Sequence, residues 1–203
     1  MASTARVVLE RSLWQKFVAM LLHRRVRITG ILFVLLVVQD VLSRVVPHNL
    51  ANFRDYKVIL GLSLIFGGVA LRSWAAGTLH KRTQLATGGP YQLVRHPLYI
   101  GSFSMMLGFC VLVDDRENIW FVLGPILVLY VMRALHEEKY LARAFPDQWP
   151  AFMRAVPRFI PRRLPTNLFA DWRLSQWLNN REYQALSAVL LGLVAIQAWH
   201  LMM

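Results

Sequence analysis

Cysteine is nearly absent from this chain. Cys110 stands alone, so no disulfide can close within the molecule and no thiolate cage can hold a metal ion. Its neighbours from Met105 to Val113 are apolar, the setting of a small buried hydrophobe. Charge is scarce too: charged residues make up 17% of the 203 and hydrophobic residues 56%. A soluble domain is about a quarter charged, so the composition leans towards a membrane protein. Acidic residues are the rarer sign, 11 against 23 Lys and Arg, for a net charge of +12. The excess builds no nucleic-acid module, because the basic residues fall between apolar segments and not on one compact face. Anionic lipid headgroups are the better partners. The six histidines show no ligand spacing, so no metal site is expected. There is no phosphate-binding loop, dinucleotide glycine fingerprint or nucleophile elbow, and no internal repeat.

What the chain has instead is a series of apolar stretches, each about 20 residues and long enough to cross a bilayer core as a helix. The pattern predicts an all-α membrane helix bundle of about five spans with interfacial amphipathic helices, organised as one domain. Residues 1–26 form an amphipathic arm in which Leu9, Leu13, Phe17 and Leu21 recur every fourth position among Arg6, Arg11, Lys16, Arg24 and Arg25, as in a helix lying in the membrane interface. The arm lacks a short apolar core with a small-residue cleavage site, so it is expected to be retained.

Residues 28–135 are the four-span core, with spans expected over 28–46, 58–76, 97–113 and 119–135. Asp40 and Arg44 stand one turn apart and are expected to neutralise each other. Gly61, Gly67 and Gly68 offer close helix contact, and Arg72 is placed to snorkel towards headgroups. Residues 136–183 read as a polar cover punctuated by proline, with Leu168, Phe169, Trp172 and Trp177 among Arg173 and Arg181 as a second interfacial segment. Residues 184–203 are a last hydrophobic helix. Lys and Arg concentrate in the arm, in the loop before Pro97 and after residue 133, whereas the opposite side receives only Arg44, Arg54, Lys57 and Arg116. This places the N-terminus and both motif-bearing regions in the cytoplasm.

Two constellations carry chemistry. The first, Gly89-Pro90-Tyr91-Gln92-Leu93-Val94-Arg95-His96-Pro97-Leu98-Tyr99-Ile100-Gly101, joins a turn to a helix start. Gly88 and Gly89 permit close approach of a ligand, Pro97 suits the first helical position, and His96 falls at the cap. The free amides beyond it favour a carboxylate or phosphate, while Tyr91 and Tyr99 offer flat faces and hydroxyls. The same residues also suit an interfacial turn with belt tyrosines. The second constellation is Arg133-Ala134-Leu135-His136-Glu137-Glu138. Arg133 and Glu137 share a helix face, either as a pair receiving an anionic and a cationic group or as an ordinary ion pair. His136 and Glu138 face elsewhere, as supporting or solvated groups. The prolines of residues 145–161 favour an extended cover or surface strap.

Together these residues resemble the isoprenylcysteine carboxyl methyltransferase family of membrane enzymes. The likeness covers about residues 81–161 and is carried by the pairing of the Gly-x-Tyr-x-x-x-Arg-His-Pro-x-Tyr-x-Gly stretch with Glu137-Glu138 and the ending Val156-Pro157-Arg158. It implies an S-adenosylmethionine-dependent methyltransferase. By matching position, Gln84, Leu85, Tyr91, His96, Pro97, Leu98, Tyr99 and Glu137 would bind the cofactor, and Arg133 would approach the substrate. Arg133, Glu137 and His96 are the candidate catalytic residues. Where the family carries Gly and two Tyr in its cover, this chain has Pro146, Trp149 and Phe152, so Trp149 and Phe152 are candidate substrate contacts and the acceptor is the open question. The acceptor class expected is a carboxylate or thiol on a lipophilic or lipidated molecule. The competing readings are a nicotinamide-dependent membrane reductase of the sterol reductase type and a non-enzymatic basic lipid-binding protein.

Overall fold

The computed structural model describes residues 34–80, 84–162 and 172–203, and every regular element among them is helical. The amphipathic arm, the start of the first expected span, and Leu168 and Phe169 lie outside these residues. The chain divides into two compact units, Met1–Ser43 and Arg44–Met203. In the first, residues 34–42 form helix α1. The second unit holds everything discussed below.

Helix α2 runs Tyr56–Thr78 and starts at Asp55, whose carboxylate accepts the Lys57 amide at 2.9 Å. Such a cap satisfies one of the donors that the first turn leaves unpaired; that bond, helped by the facing His48 and opposed by burial, holds the Asp55 carboxyl below its ordinary range. Helix α3 runs Pro97–Val113, with Pro97 in its first turn as expected. It stops at Asp114, which adopts the left-handed conformation at φ 63°. Asp115 then caps helix α4, Arg116–Phe121, so the fourth helix begins at Arg116 and not at the expected residue 119.

The helix expected to end near Leu135 does not stop there. A π-helical turn, Val122–Ile126, joins α4 to α5, Leu127–Ala144. Pro125 lies inside that turn; it lacks an amide hydrogen and its ring crowds the preceding carbonyl, which widens the helix instead of ending it. The continuous helix runs to Ala144, nine residues past the expected boundary, and carries the whole second constellation. The stretch expected to be extended contains a helix, α6 (Trp149–Ala155), started by Pro150 near its N-terminus, where proline costs no hydrogen bond. Helices α7 (Leu174–Asn179) and α8 (Glu182–Met202) complete the unit.

Three helices, Tyr56–Thr78, Arg116–Ala144 and Glu182–Met202, are long and apolar enough to cross a membrane, and Pro97–Val113 is a shorter apolar helix. That is the signature of a membrane protein, with fewer full-length spans among the described residues than the five expected.

Helices α2 and α3 pack through a paired glycine seam. A Cβ on Gly68 would come within 2.6 Å of the Gly101 carbonyl oxygen, and one on Gly108 within 2.6 Å of the Gly61 carbonyl oxygen. Small residues let two backbones meet where lipid offers no hydrophobic drive for association. Gly67, expected to share this role, faces open space. Arg72 does not snorkel: its guanidinium forms a two-pronged pair with Glu182 at 2.7 and 2.9 Å and also bonds Ser102. The start of α8 is thus fastened to both α2 and α3. The far end of α8 is tied by Gln197, which accepts the Leu50 amide at 2.9 Å, and by His200 against the Pro47 carbonyl.

Candidate functional site

The loop between α2 and α3 turns back through a short 3₁₀ segment, Gly89–Gln92. Gly89 has φ +53°, and a Cβ there would meet the Thr78 methyl at 2.7 Å, so this position requires glycine. Gly88 is in ordinary extended backbone and carries no such requirement. The turn buries Tyr91, and burial raises the pKa of its phenol, with the nearby Glu137 charge acting in the same direction. Tyr91 therefore stays a neutral donor. His96 caps α3 as expected, but its ring does not cap the helix; it turns towards the glutamate pair at the end of α5.

Glu138 is the hub. Its Oε1 accepts from Arg95 Nη1 at 2.7 Å, His96 Nε2 at 3.1 Å and Arg158 Nε at 2.9 Å, and its Oε2 accepts from Arg158 Nη2 at 2.7 Å. The carboxylate is buried, and three charge-assisted donors compensate it. The sequence reading, which left Glu138 supporting or solvated, is corrected on solvation: a helix face that looks solvated in isolation is covered by residues 20 and 43 positions away. Burial, the largest influence, lowers the pKa of His96 below its ordinary 6.5 despite the facing glutamates. The ring is therefore neutral near pH 7, its Nε2 proton donates to Glu138, and Nδ1 is left as an acceptor. The bond to Glu138 raises the pKa of Arg158, whereas burial lowers that of Arg95.

Glu137 lies beside this hub and accepts the Tyr99 hydroxyl at 2.6 Å. The Tyr99 ring stacks on His96 at 5.5 Å between centroids and meets Tyr130 edge-on at 5.7 Å. No ion pair joins Glu137 to Arg133 one turn earlier. The Arg133 Nε is buried and has no hydrogen-bond partner, an unsatisfied donor of the kind that a bound anion completes. Arg133 thus remains available in a way the simple helix-surface ion pair would not allow.

The cover folds over this layer from the far side. The Arg95 amide donates to the Pro157 carbonyl at 2.9 Å, which brings Arg158 to Glu138. Trp149, Phe152 and Val156 pack with Leu85 into a buried apolar cluster, flanked by Leu141, Ala142 and Phe145. Trp149 and Phe152 are therefore packed inside the cover, clamping it to the loop.

Leu85 also borders a cavity of about 310 Å³ lined by Thr78, His80, loop residues 84–88 and Arg173. Of the residues assigned to a cofactor from sequence, Gln84 and Leu85 line this cavity, while His96, Tyr99 and Glu137 form the bonded layer. Tyr91 is buried in the turn that follows the cavity-lining loop, its amide donating to the Gly88 carbonyl at 3.1 Å. Pro97 is buried in the first turn of α3, and Leu98 is half-buried there. The donor set fits a ligand with a flat polar head and a charged amino-acid end. It includes a polar cavity, an acid with one neutral hydroxyl on it, and an orphaned arginine donor. Among the described residues, no three His, Cys, Asp or Glu side chains come together as metal ligands. Arg173 was missed, and Arg95 and Arg158 were given no role of their own although both stand inside the motifs that carry the resemblance, which was the available hint.

The family model of the phospholipid methyltransferases matches residues 56–148. The chain is 32% identical to the cobalt-zinc-cadmium resistance protein CzcN of Cupriavidus metallidurans over 106 residues, 51% of this chain and 47% of that protein. It is 29% identical to the nickel-cobalt-cadmium resistance protein NccN of Alcaligenes xylosoxydans xylosoxydans, covering 51% of this chain and 48% of that one. It is 28% identical over 99 residues to the protein-S-isoprenylcysteine O-methyltransferase of Schizosaccharomyces pombe, covering 49% and 42% of the two chains. The chain spans about half the length of the curated relatives it matches. No solved structure matches it. The resemblance to isoprenylcysteine carboxyl methyltransferase-like membrane proteins is thus borne out, at low identity.

Proposed function

From that resemblance, we propose that the chain is an integral membrane methyltransferase that uses S-adenosylmethionine and acts on a lipophilic acceptor, a carboxylate or thiol on an isoprenoid-like or lipid-like molecule. The observation that carries the reading is the joining of two distant motifs: Tyr99 on Glu137, and Arg95, His96 and Arg158 on Glu138. A lipid-binding scaffold has no need of a buried polar layer that ties these two motifs together. The site would face the cytoplasm, where basic loops concentrate.

When bound, the cofactor supplies a methyl group on a cationic sulfur. Glu137, steadied by the Tyr99 hydroxyl, would hold the cofactor's ammonium. Arg133, with its unpartnered buried Nε, would orient an anionic acceptor through charge-assisted hydrogen bonds. His96, neutral and bonded to Glu138, would fix the ring of Tyr99 against which it stacks. A carboxylate acceptor requires no general base, and a thiol acceptor would react as the thiolate after losing its proton to water, so the residues contribute mainly alignment and a dry environment. A low dielectric favours a reaction that removes the cofactor's charge.

The reading is tested by thermal unfolding of the purified protein with ligands. S-adenosylhomocysteine is expected to raise the unfolding temperature and NADPH to leave it unchanged; the protection should vanish in Glu137→Gln and His96→Ala. Protection by NADPH alone would assign the chain to the reductases instead, and unaltered protection in both variants would remove these residues from the site.

A further inference from the structure

The cavity has a wall that lies beyond residues 56–148, the segment matching the family model. That wall is Arg173, and its position is fixed by the way the chain closes the end of α2. The last carbonyls of a helix need partners from outside it. Here the Trp172 indole donates to the Ser73 carbonyl at 3.1 Å and the Arg173 amide to the Gly77 carbonyl at 2.9 Å. The Asn180 side chain donates to the carbonyls of Ala76 and Leu79 at 2.7 and 2.9 Å. Gly77 makes this docking possible, because a Cβ there would collide with the Trp172 ring. Trp172 is seated on bare backbone, and the next residue is delivered to the cavity.

The lining is chemically specific. Among the described residues the lining, with Thr78, His80, Gln84, Leu85, Thr87 and Arg173, includes no acid to receive an ammonium; the acid proposed for it is Glu137, in the bonded layer. A flat nitrogen heterocycle does find partners. The Gln84 amide offers a donor and an acceptor, Leu85 an apolar surface, and a guanidinium stacks on π faces while keeping its in-plane donors. The volume of about 310 Å³ lies at the small end of ligand pockets, suited to one such group and its sugar.

We infer that this cavity is the nucleoside subsite of the cofactor site and that Arg173 is a binding residue within it, while the amino-acid end of the cofactor goes to Glu137. The inference rests on the cofactor reading above and divides that ligand between two places. Because Arg173 is exposed, its removal is expected to leave the ligand-free protein as stable as before.

The test is calorimetric binding to the full chain in detergent, using S-adenosylhomocysteine and 5′-methylthioadenosine, which keeps the nucleoside and lacks the amino acid. Arg173→Ala is expected to weaken both about fivefold, the size of one solvent-exposed cation–π contact. Glu137→Gln should weaken S-adenosylhomocysteine and leave methylthioadenosine unchanged. Should Arg173→Ala weaken only S-adenosylhomocysteine, Arg173 belongs to the amino-acid end and the division is wrong. Unchanged binding of both compounds in that variant removes Arg173 from the site while the cofactor reading stands. A wild-type protein that binds neither compound overturns the reading and this inference together.

Discussion

Two polar clusters close opposite ends of the α2–α3 pair, and both join a histidine to carboxylates and cations. At the end where α2 begins, His48 bridges Asp55 at 2.6 Å and Asp114 at 3.2 Å, and Lys57 reaches Asp114 at 2.6 Å. At the other end, one glutamate serves two arginines and a histidine. The geometry is similar but the surroundings differ. Asp114 and Lys57 keep 42% and 32% of their side-chain surface in solvent, against 9% for Glu138 and 3% for His96. Solvent screens the first cluster and makes each of its pairs replaceable. Burial makes the second one depend on its hub, since deleting Glu138 leaves two arginines facing each other without their shared carboxylate. The first cluster fastens a loop; the second has the preorganisation that a binding site requires.

That contrast can be broken by substitution. Glu138→Gln should be the most damaging change, costing about 3 kcal/mol, the lower end for a broken buried pair because Arg158 is partly open to solvent. It should also release the Pro157–Arg158 cover, visible as faster proteolysis after Arg158. A cost no larger than that of a surface pair would mean that the hub is screened after all.

The histidine at the buried end sharpens the contrast through pH. Burial lowers the folded-state pKa of His96 below its ordinary 6.5, so below that pH the unfolded chain binds the proton more readily than the folded one. Stability is therefore expected to fall as pH drops through 6.5 and to gain nothing from His96 above it. His96→Gln, which keeps a neutral donor towards Glu138, should flatten this part of the unfolding profile; an unchanged slope would show that other groups carry it. The smallest effect is expected at the exposed end, where Asp114→Asn should shift the unfolding midpoint no more than replicate measurements scatter.

Much of this was legible in the sequence, where local chemistry decided the outcome. Helix α3 runs over the residues expected, because Pro97 can only begin a helix comfortably and two aspartates follow Val113. His96 at the cap and the separation of Arg133 and Glu137 by one turn followed from the same local rules, as did the close helix contact at Gly61 and Gly68, though not the partners they meet. What was illegible depended on distant partners. Glu138 looks like any solvated acid until Arg158 and Arg95 are brought over it, and Arg72 looks like a headgroup anchor until Glu182, 110 residues on, meets it. The polar residues after Leu135 read as the end of the fourth span, yet the helix continues to Ala144 after taking up Pro125 in a wider turn. Trp149 and Phe152 were legible as a departure from the family pattern but not as a packed clamp on Leu85, because side-chain packing has no local signature.

The central claim is methyl transfer to a lipophilic acceptor. It is tested most directly by incubating the protein in membranes with S-adenosylmethionine carrying a labelled methyl group and extracting the products into organic solvent. The account predicts label in an apolar ester or thioether, lost in Glu137→Gln and in Arg133→Ala. Label that never leaves the cofactor in the presence of a total lipid and lipidated-peptide extract would contradict it.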